Sequence, residues 1–468
     1  MLRIAKGYFK MENITIENKM GWMKIPRLLF TISVPIIISM LVQALYNIVD
    51  SIFVAQFDNV AGTGALTLAF PIQNLMIALS VGLAVGMNAI LSRSLGQKEH
   101  EKANLVAGQG FFLTICGYLI FLLFGLFLAE PFVAMQKEVG TKVYEYSVDY
   151  ISIISIGAIG VFIQVTTERL LQATGKSIYS MVIQLSGAVI NIILDPIMIF
   201  GLLGCPKMGV AGAALATVIG QLAAAAIGIF LNLKFNPEIK IKLKNFIPKF
   251  NLLKEMLAIG IPAVLMQAIG SIMTFSMNNI LGKFSQEAEN VFGIYFKLQS
   301  FIFMPVFGLN NGMVPIISYN YGAKKKERIY ATMKLAAFVA VGYMILGLLI
   351  FQLFPGALLG MFNASEEMLA IGKGALRIIS LSFVMAGISI VSISTCQALG
   401  KSIYSLIVSI ARQLVVLIPV AFLLSLTGKV NLVWLAFPIS EVVGCTLCII
   451  FVTRVLRKSL SENQKIQT

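Results

Sequence analysis

Twelve apolar runs, each as long as a membrane-crossing helix, alternate with shorter polar stretches along the chain. They fall at 28–54, 66–91, 105–129, 149–170, 178–202, 210–232, 255–281, 291–317, 331–354, 370–396, 403–426 and 433–453. A hydrocarbon layer about 30 Å thick takes roughly 20 apolar residues in helical conformation. The pattern therefore predicts an all-α polytopic membrane protein with twelve transmembrane helices. Pro35, Pro262, Pro305, Pro315 and Pro419 fall inside runs, where a missing N–H can kink a helix. The polar stretches divide the chain into a segment 1–27, six runs over 28–232, a link over 233–254, six more runs over 255–453, and a tail over 454–468.

The two sets of six runs are copies of one another. Residues 172–180 read Gln-Ala-Thr-Gly-Lys-Ser-Ile-Tyr-Ser, and residues 397–405 read Gln-Ala-Leu-Gly-Lys-Ser-Ile-Tyr-Ser. Residues 255–284 align with 28–57, which places Pro262 on Pro35 and Phe284 on Phe57. Gly308, Gly312, Met313 and Gly322 fall on Gly82, Gly86, Met87 and Gly96, and Leu435, Ala436 and Glu441 fall on Leu215, Ala216 and Gln221. Six crossings are an even number, so both copies enter from the same side. Two six-helix lobes related by a pseudo-two-fold axis along the membrane normal are expected, with a cavity between them. The repeated Gly-x-x-x-Gly pairs, Gly82/Gly86 and Gly308/Gly312, suit close approach of helix backbones in lipid.

Charge orients this arrangement. The chain of 468 residues is 58% hydrophobic and only 12% charged, where a soluble protein carries about a quarter charged residues. A net charge of +15 invites a nucleic-acid reading, but its placement argues against one. If both termini are cytoplasmic, 27 lysines and arginines lie on that side, 7 lie on the other, and Lys297 and Arg412 fall within runs. That is the positive-inside asymmetry, with the basic residues facing anionic lipid headgroups. No cleavable signal peptide is expected in the polar, basic first 27 residues. Cys116, Cys205, Cys396, Cys445 and Cys448 form no disulfide framework, and Cys445 and Cys448, spaced C-x-x-C inside a run, read as packing residues. Gly175-Lys176-Ser177 and Gly400-Lys401-Ser402 are not phosphate loops, since Leu170 and Thr395 stand where the first glycine is needed. With no nucleotide-hydrolysing module in view, a pump of this kind draws on an ion gradient.

Ionisable groups inside a membrane cost about 2.5–3.5 kcal/mol on insertion scales and are functional candidates. Counting 1.5 Å per residue, Asp50 in the first run, Asp195 in the fifth and Thr217 in the sixth reach a common depth in the outer half, with Asn191 one turn from Asp195. Two carboxylates, an amide oxygen and a hydroxyl suit a hard cation, and crowded carboxylates equally suit a proton. Glu168 lies at the inner end of the fourth run beside Arg169 and reads as a gating residue. In the second copy, Lys297 and Glu441 are expected to pair, and Arg412 is the remaining charge. Gln43 and Tyr46, with Met40, Met76, Met273 and Met277, are candidate pocket residues, because methionine and aromatic surfaces adapt to varied or cationic ligands. His100 sits in a polar loop and carries no expected role.

Five stretches stand out together: Leu41-Val-Gln-Ala-Leu-Tyr-Asn-Ile-Val-Asp50, Gly86-Met-Asn-Ala through Leu95-Gly96, Gln172-Ala-Thr-Gly-Lys176, Asn191-Ile-Ile-Leu-Asp195-Pro196 and Gly212-Ala-Ala-Leu-Ala-Thr217. With them the chain resembles, over nearly all of 28–453, the multidrug and toxic compound extrusion (MATE) transporters, most of all their Gram-positive multidrug-pump branch. The resemblance implies a two-lobed antiporter that exports amphipathic, often cationic, drugs in exchange for Na⁺ or H⁺. It also implies the first-lobe cation site at Asp50, Asn191, Asp195 and Thr217. One branch of the family carries essential carboxylates in spans 7 and 10. Residues 256–281 and 378–396 contain no Asp or Glu, so coupling is expected in the first lobe.

The leading expectation is a cation-coupled multidrug exporter of the bacterial cytoplasmic membrane. It should be a monomer with both termini inside, contact membrane lipids, bind no nucleic acid and use no cofactor beyond its coupling ion. The alternative is a flippase of lipid-linked saccharide precursors. The charges singled out inside the membrane, the acids Asp50, Glu168, Asp195 and Glu441 against the bases Lys297 and Arg412, favour cationic cargo. An enzyme is not expected, since no cluster of His, Cys or Asp has catalytic spacing.

Overall fold

The computed structural model describes residues 18–240, 242–362 and 364–465, and among these the secondary structure is helical with no strand. The twelve expected spans appear as α1 (Ile25–Phe57), α2 (Ala61–Gly96), α3 (His100–Phe127), α4 (Lys142–Ile156 and Ile159–Ala173), α5 (Ser177–Phe200), α6 (Val210–Phe235), α7 (Phe250–Leu281), α8 (Gln286–Gly322), α9 (Lys326–Leu353), α10 (Glu366–Ser380 and Phe383–Ala398), α11 (Ser402–Ser425) and α12 (Ala436–Lys465). Most run longer than the apolar runs that predicted them.

Two spans depart from single rods, α4 bending by 44° and α10 by 46° between their halves. These are equivalent spans in the two copies, so the bend belongs to the repeat. In α11 the backbone loosens to a π-helix over Ala411–Leu417. Pro419 lies two residues beyond and has no N–H to offer the Val415 carbonyl inside that segment. Local sequence sets the ends. Thr141, Ser285 and Ser365 cap α4, α8 and α10 by accepting from the backbone N–H three residues on.

The repeated nine-residue motif forms the same turn twice. Lys176 N donates to the Leu171 carbonyl and Gly175 N to Gln172, while Lys401 N donates to Cys396 and Gly400 N to Gln397. This is the helix-ending pattern that needs a left-handed residue, and Gly175 (φ +78°) and Gly400 (φ +77°) supply it. The motif is therefore a reversal between spans 4 and 5, and between 10 and 11.

Two six-helix lobes result. In the first, α5 packs on α6, and α6 on both halves of α4; in the second, α9 and α12 pack on the inner half of α10. The lobes meet where α2 crosses α7 and α1 crosses α8. Here the paired glycines act. A Cβ on Gly86 would overlap the Met256 carbonyl, and one on Gly312 would overlap Ser33. Ser33 Oγ donates to the Leu309 carbonyl at 3.3 Å across this junction. At the helix ends, a Cβ on Gly96 would strike the Tyr319 carbonyl and one on Gly322 the Arg93 carbonyl. All these contacts lie in the helix halves nearest the N-terminal segment and the 233–254 link, so the bundle is closed at its basic end.

The link itself is not a free surface strand. Gln109 Nε2 donates to the Asn245 and Ile247 carbonyls at 2.7 and 2.8 Å, and its Oε1 accepts from Lys249 N at 2.8 Å. Phe246 stacks on Phe111 with ring centroids 5.6 Å apart. The link is thereby pinned to α3.

Candidate functional site

The polar centre of the first lobe is built mainly on one face of α5. Gln184, Asn191 and Asp195 follow at intervals of seven and four residues, so they line up along the helix. Gly187 and Gly220 let α5 and α6 approach, with a Gly220 Cβ position 2.8 Å from the Gly187 carbonyl oxygen. That closeness brings Thr217 to Asn191. Asn191 Nδ2 donates to Asp195 Oδ1 at 3.2 Å and to Thr217 Oγ1 at 3.3 Å. Asp50 enters from α1, which packs along α5, and lies within electrostatic reach of Asp195. The four residues expected to share a depth are brought together.

Their burial is severe. Asp195 is 0% exposed, Asn191 3%, and Asp50 and Thr217 8% each. Asp50 Oδ1, Asn191 Oδ1 and Asp195 Oδ2 are buried oxygens with no hydrogen-bond partner among the described residues. Buried acceptors are almost always satisfied, and two carboxylates in one apolar lobe repel. Either a bound cation or a shared proton removes both problems. The donor chemistry thus suits Na⁺ or H⁺.

Tyr46, Gln164, Gln184, Asn191, Thr217 and Gln221, among others, line a small recess at the site. Tyr46 lies within electrostatic reach of Asp50, Asp195 and Glu168, and Gln43 is half-buried one turn before it on α1. Gln164 Nε2 donates to Gln184 Oε1 at 2.9 Å and to Glu168 Oε1 at 3.0 Å. A polar line therefore runs from the paired aspartates to Glu168. Gln164 and Gln184 were not singled out from sequence; the spacing of Gln184 from Asn191 and Asp195 was the available signal.

Arg169 was expected beside Glu168 and does more. Its Nη1 donates at 3.1 Å to Gln172 Oε1 in its own lobe and at 3.1 Å to Asn311 Oδ1 on α8 of the other. Asn311 Nδ2 in turn lies 3.8 Å from Met40 Sδ. Arg169 is thus a polar bond across the closed end.

The second lobe corrects one expectation. Glu441 does not pair with Lys297. It pairs with Arg412, whose Nη1 lies 3.0 Å from both carboxylate oxygens. Lys297 instead sits 5.9 Å above the Phe362 ring. The rotation of α11 and α12 about their axes decides this, and Gly444, one turn from Glu441, leaves room for the Arg412 side chain. Two methionines are also reassigned. Met76 (4% exposed) and Met277 (0%) are core packing residues rather than pocket walls. Cys445 and Cys448 are buried, with Cys448 Sγ 3.7 Å from the Ser389 carbonyl.

The model of the MatE family matches residues 35–197 and again 262–423, one copy per lobe. The chain belongs to the MatE family. Among curated MATE proteins it is 29% identical over 434 residues to the multidrug export protein MepA of Staphylococcus haemolyticus (strain JCSC1435), covering 92% of this chain and 94% of that one. It is 28% identical over 431 residues to MepA of Staphylococcus aureus (strain MRSA252), covering 92% and 93%. A solved structure of a MATE family transporter in an outward-facing conformation superposes with TM-score 0.88 at 24% identity, covering 96% of this chain and 100% of that one. A MATE P26A mutant superposes with TM-score 0.89 at 23% identity, covering 96% and 99%. This MATE chain is a multi-pass membrane transporter, not an enzyme.

Proposed function

We propose that this transporter exports amphipathic, predominantly cationic drugs across a bacterial cytoplasmic membrane, driven by Na⁺ or H⁺ entry at Asp50, Asn191, Asp195 and Thr217. The observation that carries the coupling assignment is the set of three buried, unpartnered oxygens on Asp50, Asn191 and Asp195. Kinship to MepA proteins over 92% of the chain supports the drug cargo. The positive-inside asymmetry supports a cytoplasmic basic end with both termini there, and on that reading a bundle closed at this end stands for the outward-facing state of the cycle. Binding of the cation in the outward-open lobe neutralises the two aspartates and favours the rearrangement that opens the basic end; its release inside resets the lobes. The transporter works as a monomer among lipids, and Tyr46, Gln43, Glu168 and the charged trio Lys297, Arg412 and Glu441 border the path or brace it.

A flippase of lipid-linked saccharides draws less support. Its anionic cargo would face a first lobe that holds the buried Asp50 and Asp195 and the half-buried Glu168. Purified protein in liposomes tests the assignment. Drug efflux should respond to a Na⁺ gradient or a pH gradient imposed separately, and the responding gradient names the ion. Lipid scrambling without drug flux would overturn the reading.

A further inference from the structure

The closed end holds a contact that none of the twelve spans supplies. Residues 18–23 precede α1 and are covalently part of the first lobe. Asn18 caps a one-turn helix, Lys19–Trp22: its Oδ1 accepts from Met20 N at 2.9 Å. Its Nδ2 donates to the Thr174 carbonyl at 3.0 Å and to Glu238 Oε2 at 2.7 Å. These bonds tie the segment to the α4–α5 turn and to the start of the link.

The far side of the segment is held by the second lobe. Asn320 Nδ2 donates to the Met20 carbonyl at 3.0 Å, and Lys325 Nζ to the Gly21 carbonyl at 2.9 Å. Arg328 Nη2 reaches the Met20 and Met23 carbonyls at 3.0 and 2.7 Å, while its Nε is fixed at 3.0 Å by Asn320 Oδ1. Carbonyls at a helix end lack internal partners and carry partial negative charge, and here two cations and an amide from the opposite lobe satisfy them. Met20 is 0% exposed and packs in the core that includes Leu28 and Ile32. Gly175 leaves space where Lys19 and Met20 pass. Burial holds the Lys19 ammonium below the usual lysine range, with Lys176 adding to the effect and Glu238 opposing it. The link offers a reciprocal arrangement: residues 245–249, which lead into α7 of the second lobe, are held by Gln109 of the first.

We propose that residues 18–23 form a strap that clamps the lobes together at the basic end and must release Asn320, Lys325 and Arg328 each time that end opens. This rests on the alternating-access reading above. Opening the basic end separates Thr174 from Arg328, and a single helical turn bonded to both cannot follow both. The strap therefore sets how readily the transporter leaves its outward-open state, without touching cargo or cation.

Spin labels on cysteines placed at Gln97 and Glu327, exposed at the basic ends of the two lobes, read the opening in a background free of native cysteines. Wild-type protein reconstituted in lipid should show a short distance that lengthens in a minor population under the coupling gradient. Asn18→Ala with Arg328→Ala should raise the long-distance population about tenfold, the effect expected on losing charge-assisted hydrogen bonds. Arg328→Lys, which keeps the charge and loses the fork onto two carbonyls, should raise it less and guards against misfolding of the double variant. Unchanged populations in folded Arg328→Lys and Asn18→Ala proteins overturn the strap. A wild-type pair fixed at one distance under every gradient overturns alternating access, and the strap with it.

Discussion

Asp50 on α1 and Asp195 on α5 are buried within electrostatic reach of one another, and this decides what their substitution does. Asn in place of either keeps the size and removes the charge that must bind and release a cation. Asp50→Asn and Asp195→Asn should each abolish gradient-driven drug export while the protein still inserts, and drug binding in detergent should survive better than flux. Wild-type export rates in both variants would move the coupling site elsewhere. Glu441 makes a different case. Its carboxylate meets Arg412 with side chains only 10% and 19% exposed, and removing one partner of a buried pair costs about 3–5 kcal/mol. Glu441→Leu should lower the melting temperature in detergent, and Arg412→Met with Glu441→Met should restore most of the loss, since an apolar pair of similar volume replaces two desolvated charges. A double variant as unstable as the single would deny the pair this structural role. That Asp50, Asn191, Asp195 and Thr217 would lie together was legible because helical spacing and crossing direction give depth. The Arg412 partnership was not, because which of two basic residues meets Glu441 depends on helix rotation, and Lys297 and Arg412 both lie within spans.

At the scale of the element, the crossings of α2 with α7 and α1 with α8 depend on absent side chains. Gly86 lies where a Cβ would enter the Met256 backbone, while Gly342 on α9 has nothing within 4 Å of a Cβ position. Gly86→Val should force the basic ends apart, at about 1–3 kcal/mol of overpacking strain, and should increase maleimide labelling of a cysteine at Gln97. Gly342→Ala should leave both labelling and melting unchanged. Equal labelling in the two variants would show that the crossing does not seal this end. The Gly-x-x-x-Gly spacing announced a close helix contact from sequence alone. Which helix it met was silent, since four residues of spacing describe one surface and not its partner. The bends in α4 and α10 were likewise invisible, as neither apolar run contains a proline at the break between its helical halves.

For the whole molecule, topology is the property that charge fixes most firmly. A cysteine at Lys244, exposed on the link, should react with an impermeant maleimide only from the cytoplasmic side, and one at Val60, 80% exposed at the α1–α2 turn, only from outside. Labelling of the link in intact cells would invert the assignment. Residue 244 serves where its neighbour does not, because Asn245 is 5% exposed and its backbone is bonded to Gln109. Asp50, Asn191, Asp195 and Thr217 lie in the helix halves away from the closed basic end, the placement that the proposed exchange needs.

Apolar run length and the doubled Gln-Ala-x-Gly-Lys-Ser-Ile-Tyr-Ser motif by themselves determined twelve helices and two copies, and the distribution of lysine and arginine carries the proposed orientation in the bilayer. These are one-dimensional properties: length against bilayer thickness, repetition, and charge against position. The reach of Arg169 to Asn311, the pairing of Arg412 with Glu441 and the strap from Asn18 to Arg328 were decided only in three dimensions. Each joins residues from 29 to 310 positions apart along the chain, and each depends on which faces two packed helices or lobes turn toward one another. That choice is made by packing over the whole bundle and leaves no mark on the local pattern of either partner.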